Sequence, residues 1–137
     1  MNITVNMWAV IVSAIASMII GGLWYSPMLF GKKWMHYMKI NMAEAEHMKK
    51  GAGKAYAGMF VGSLVMAYVL GYFVKYMATM TFSDAFSLAF WIWLGFVATV
   101  MIGSVLFEKK PFGLFVLNSV YQLVNLIVMS VILTFWQ

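Results

Sequence analysis

FGLFVLNSVYQLVNLIVMSVILTFW, residues 112–136, is a run of 25 residues without one charged side chain. A hydrocarbon core about 30 Å thick needs about 20 helical residues to cross it, so the run is long enough to span with some tilt. Three more runs share this character: Ile3–Leu23, Ala55–Tyr76 and Ala85–Phe107, none with a charge in its middle. Water-soluble helices alternate an apolar and a polar face, and these do not. The fold class that follows is an all-α, polytopic membrane protein. Its four transmembrane helices are expected over about 3–25, 55–76, 85–107 and 112–136.

Composition leaves little else to fold. Of 137 residues, 64% are hydrophobic and 9% charged, so no soluble domain fits beside the spans and residues 1–137 are expected to form a single transmembrane domain. The longest connector is 30–54. The N-terminal run lacks a basic leader, and its apolar stretch is longer than a signal peptide requires, so it is expected to remain as a span. Without cysteine there are no disulfides and no thiolate chemistry.

The net charge of +5 comes from lysines beside the spans rather than from a basic face, which argues against nucleic acid as a partner. Lys32, Lys33, Lys39, Lys49, Lys50 and Lys54 follow the first span, Lys109 and Lys110 follow the third, and Lys75 alone lies on the opposite side. Lysine-rich loops stay in the cytoplasm, so both termini are expected outside an inner (plasma) membrane. Trp24, Tyr25, Tyr56, Phe107 and Phe112 would form the inner aromatic belt, and Trp8, Tyr72, Tyr76 and Trp136 the outer one.

Local signals place the ends of the elements. Pro27 has no amide proton and disfavours helix at Ser26, so the first span should stop near Tyr25. Trp24, Tyr25, Ser26 and Pro27 thus mark a break at the membrane interface, with Ser26 expected to cap a new segment holding Pro27 in its first turn. Phe30, Trp34, Tyr37 and Met38 share one helical face, opposite Lys32, His36 and Lys39. That pattern suits a short amphipathic helix on the inner leaflet. Asn41, Glu44, the Glu46–Lys50 pair and Gly51 predict a second short helix over Met42–Lys50. Thr81-x-x-Asp84 is a capping box for the third span. The Leu29–Trp34 and Leu106–Lys110 segments echo each other weakly. A parallel duplication would give that, and so would any span that leaves through an aromatic followed by lysines.

Stripes of small residues recur at intervals of four: Ala9, Ser13, Ser17 and Gly21 in the first span; Gly58 and Gly62, then Ser63, Ala67 and Gly71, in the second; Gly95, Thr99 and Gly103 in the third. They predict close helix approach, with a path lined by small residues as the alternative. In the fourth span Asn118, Gln122 and Asn125 share one face. Amides in hydrocarbon need partners, so this face should point into the bundle, a subunit contact or a wet cavity. Two uses are open: hydrogen bonds to Ser13, Ser17, Thr99 or Tyr68 that hold helices together, or a binding site for a small solute.

No Asp, Glu, Lys or His lies at a span centre, so a proton relay has no titrating group. Met35, His36, Met38, Met42, His47 and Met48 offer soft ligands for copper(I), but their spacing matches no tight metal motif, and methionine packs well as flexible filler. No metal, no cofactor and no catalytic residue is therefore assigned, and no nucleophile–base pair suggests an enzyme.

GLWYSPMLFGKKW (residues 22–34), GKAY (53–56), WLGF (93–96) and LN (117–118) resemble the bacterial membrane-protein family known as domain of unknown function 1761. The resemblance covers nearly the whole chain, with Trp-Tyr-Ser-Pro as its most specific element. It implies four membrane helices and carries no activity or catalytic residue with it. Four spans alone pack around a solid core, so a conduit would need a second subunit. The expectation is a non-enzymatic small-solute binding or channel-like protein, a parallel homo-oligomer in contact with membrane lipids, using Asn118, Gln122 and Asn125. The alternative is an accessory or lipid-interacting protein whose amides only hold helices together. The ligand itself is unknown.

Overall fold

The computed structural model describes residues 2–137, and every element among them is helical. In chain order they are α1 (Met7–Trp24), α2 (Gly31–Met38), α3 (Met42–Lys50), α4 (Gly53–Tyr76), α5 (Phe82–Leu106) and α6 (Phe112–Phe135). The four helices α1, α4, α5 and α6 are long and apolar enough to cross a membrane.

Side-chain caps decide where several of them start. Helix α1 begins at Met7 rather than at Ile3, because the Asn6 Oδ1 accepts the amides of Trp8 (3.0 Å) and Ala9 (3.4 Å). The extended residues before it are not idle: Val5 is buried over Gly71, where an added Cβ would lie 2.7 Å from the Val5 Cγ1. Asn41 caps α3 through the Glu44 amide at 2.8 Å. The Thr81 hydroxyl and the Asp84 carboxylate close a reciprocal capping box, so α5 starts at Phe82, ahead of the Ala85 expected from hydropathy alone.

The break after α1 differs in detail from the expectation. Ser26 does not cap a segment beginning at Pro27. Its hydroxyl donates to the Leu23 carbonyl at 2.7 Å and so closes the end of α1. The Ser26 carbonyl then accepts the amides of Leu29 (3.1 Å) and Gly31 (2.9 Å), and the Trp24 carbonyl accepts that of Phe30 (3.0 Å). The resulting turn delays α2 to Gly31. Gly31 is the residue that makes it possible: a Cβ there would fall 2.5 Å from the Tyr25 carbonyl oxygen and 2.8 Å from the Ser26 carbonyl. On α2, Trp34 meets Tyr25 edge-on and Tyr37 lies directly over Gly113, so part of its apolar face is spent on the protein.

Helix α6 is the hub. It lies against α1, α4 and α5; α1 and α4 also pack on each other, whereas α5 is held chiefly by α6. The buried apolar core (Val5, Ala9, Val10, Ala67, Leu70, Val74, Ala89, Leu126, Met129 and Leu133) fills the half of the bundle near the two chain ends. The other half, beside the lysine-rich connectors, buries Leu114, Leu117 and Tyr121 next to a cluster of aromatic rings.

The small-residue stripes divide. Ala9, Ser13, Ser17, Ser63, Ala67 and Gly71 are buried and bring α1 and α4 together. Gly58, Gly62, Gly95 and Gly103 have open space where a Cβ would stand, and Thr99 is exposed, so these positions do not mediate helix approach within the chain. Midway along α5 the backbone widens into a π-helix over Trp93–Ala98. Such segments shift carbonyls out of register with the α ladder. Here Thr99 Oγ1 donates back to the Gly95 carbonyl at 2.7 Å.

Candidate functional site

The three amides of α6 sit in three different environments. Asn118 is half-buried, and its Oδ1 accepts a 2.6 Å hydrogen bond from the Tyr25 hydroxyl. The bond joins the Trp-Tyr-Ser-Pro turn to the fourth span. Tyr25 was expected among lipid headgroups as a belt residue; Asn118 draws it inward, because a hydroxyl donor satisfies the amide oxygen better than hydrocarbon can. Around this pair the rings of Trp24, Tyr25, Phe30, Trp34 and Tyr121 form a cluster. Tyr25 and Tyr121 meet edge-on at 5.3 Å, and Trp24 lies 4.6 Å from Phe30 and 6.1 Å from Tyr121. Tyr121 fits because Gly21 opposes it: a Cβ on Gly21 would be 2.9 Å from the phenolic oxygen.

Asn125 is 3% exposed. Its Nδ2 points at the Met66 sulfur of α4 at 3.9 Å, a weak acceptor, and its Oδ1 has no partner. Gln122 is half-buried and makes no side-chain hydrogen bond among those found in the described residues. None of the partners expected for the amides is used. Ser17 pairs with Ser63 at 3.4 Å, Ser13 Oγ is buried without a partner, Thr99 is occupied within its own helix, and Tyr68 is exposed. The physical reason is register. Tyr25 stands level with Asn118 across the bundle, and Ser17 of α1 meets Ser63 of α4 instead.

Two polar contacts that sequence reasoning missed complete the set. Trp93 Nε1, within the π-helix, donates to the Ser119 carbonyl at 2.6 Å and fixes α5 on α6. At the opposite end of the bundle, the Thr79 and Thr134 hydroxyls lie 3.0 Å apart, and Gln137 Nε2 donates to the carbonyls of Thr79 (2.9 Å) and Thr134 (3.0 Å). A tryptophan pointed into a bundle needs an acceptor for its indole N–H, which is the signal that could have flagged Trp93.

The arrangement holds helices together through the Tyr25–Asn118, Trp93–Ser119 and Thr79–Thr134 contacts. Among the described residues no three of His, Cys, Asp and Glu come together to grip a metal. Two surface grooves, one lined by Met35–Asn41 residues and Pro111, the other by residues of the α4–α5 turn and Trp91, lie at the two ends of the bundle, away from Gln122 and Asn125. No curated protein and no solved structure matches the chain. A family model does, over residues 8–134, which takes in all four spans, the Trp-Tyr-Ser-Pro turn and the Asn118 face together: the chain belongs to the family described as "Protein of unknown function (DUF1761)".

Proposed function

We propose that this multi-pass protein is a non-enzymatic accessory or lipid-interacting element of the inner membrane, in which the amides of α6 hold helices together rather than line a conduit. The observation that carries this reading is the 2.6 Å bond from Tyr25 to Asn118, because it spends the oxygen of a half-buried amide on the chain itself. An amide engaged this way contributes about 0.6–2 kcal/mol to helix association and is lost to a passing solute. The lysines of the α1–α4 and α5–α6 connectors place those loops in the cytoplasm on this reading, and both termini outside.

A second reading has its own support. Asn125 Oδ1 is buried without a partner and Gln122 makes no side-chain hydrogen bond among those found in the described residues, so a small hydrogen-bonding solute, bound within a homo-oligomer, would satisfy both. Stopped-flow swelling of proteoliposomes challenged with urea or glycerol separates the two. The accessory reading predicts permeability equal to that of protein-free vesicles. Permeability above that background, abolished by Gln122→Leu in a chain that still folds, would overturn it.

A further inference from the structure

The joint between α2 and α3 forms a groove of about 610 Å³ against the α5–α6 turn. Its polar lining residues are His36, Tyr37, Lys39 and Asn41, and no carboxylate lines it. Each carries a side-chain donor. Lys39 is exposed and sits in the left-handed region (φ 57°), where it ends α2. The Asn41 Oδ1 is already committed to the Glu44 amide, which leaves Nδ2 as its free half. Met35, Ile40 and Pro111 supply the apolar remainder, and Lys110 immediately precedes Pro111. The depth is set by Tyr37, which rests on Gly113 in the first turn of α6, so the groove opens at the mouth of the spans. A groove whose one fixed charge is the Lys39 ammonium, with further donors beside it, no carboxylate and apolar edges at that level, fits a phosphate-bearing anion whose remainder is greasy.

We propose that this groove binds the phosphate headgroup of an anionic glycerophospholipid. The site deepens the lipid-interacting reading above but stands on other residues, so its failure would leave the Tyr25–Asn118 bond untouched. The test reconstitutes the full chain in phosphatidylcholine nanodiscs with and without phosphatidylglycerol, and counts lipid retained per protein by native mass spectrometry after mild extraction. Two variants remove the site while sparing the backbone. Lys39→Gly suits a positive φ, and Asn41→Asp keeps the helix cap while replacing the donor by a negative charge. The parent should retain phosphatidylglycerol in preference to phosphatidylcholine. Each variant should bind it about fivefold more weakly, while Lys54→Ala, in the same connector but outside the groove, should change little. Circular dichroism of the variants in pure phosphatidylcholine should match the parent. An equal loss in Lys54→Ala would mean general attraction to a charged surface and would overturn the site. So would stabilisation by inorganic phosphate in phosphatidylcholine discs that equals the effect of phosphatidylglycerol, since the ligand would then be a soluble anion.

Discussion

Gly31→Ala is expected to destabilise the protein by about 1–3 kcal/mol or more, the cost of forcing a methyl group into a space with none to give. The added carbon would meet backbone, not a flexible side-chain tip: the Tyr25 carbonyl oxygen at 2.5 Å and the Ser26 carbonyl at 2.8 Å. To admit it, the turn must open, and the amides of Phe30 and Gly31 then lose the carbonyls of Trp24 and Ser26. The damage should spread to the Tyr25–Asn118 bond, because Tyr25 is held by the same turn. Gly58→Ala is the matched control. A Cβ there meets nothing within 4 Å, and alanine is favoured over glycine in a helix interior by about 0.5–1 kcal/mol, so this variant should melt at or above the parent temperature. Thermal unfolding in one detergent, followed by helicity, compares the two. Equal effects would mean that the turn is not as tight as described.

The second large effect is expected at Asn125. Replacing it with aspartate puts a carboxylate at a 3% exposed position in the middle of α6, facing the Met66 sulfur. Translocon-derived scales put an aspartate at a helix centre at about 2.5–3.5 kcal/mol, so Asn125→Asp should insert poorly or assemble unstably. Asn125→Leu should behave differently. The amide oxygen has no partner, and an unsatisfied buried acceptor costs about 1–3 kcal/mol, so removing it should offset most of the change in shape. Expression level and melting temperature of the two variants measure the contrast. A leucine variant as damaged as the aspartate one would show that Asn125 has a strong partner after all.

How far the residues themselves foretold this arrangement depends on the kind of signal. Uninterrupted apolar runs identify spans because the bilayer demands length and internal hydrogen bonding, and the four long helices follow from that. Caps are written in two or three adjacent residues, so the roles of Asn41, Thr81 and Asp84 can be read locally. Which helix lies at the centre cannot. In hydrocarbon the lipid-facing and helix-facing sides are both apolar, so nothing in the pattern distinguishes the hub α6 from the peripheral α5. Small residues mislead for the same reason: Ser63, Ala67 and Gly71 are buried, whereas Gly58 and Gly62, the latter next to Ser63, face outward. The polar face of α6 is visible as a spacing, but its partner is not. Tyr25 looks like any interfacial aromatic until the fold sets it level with Asn118, 93 positions further along the chain.

That pairing is the claim on which the account rests, and a double-mutant cycle measures it most directly. Tyr25→Phe, Asn118→Leu and the double variant are unfolded reversibly in one detergent, and their stabilities compared with the parent. Each single change should lower stability, and the second should cost little once the first is made, giving a coupling of about 0.6–2 kcal/mol. Losses that simply add would contradict it, since the hydroxyl of Tyr25 and the amide of Asn118 would then be acting apart.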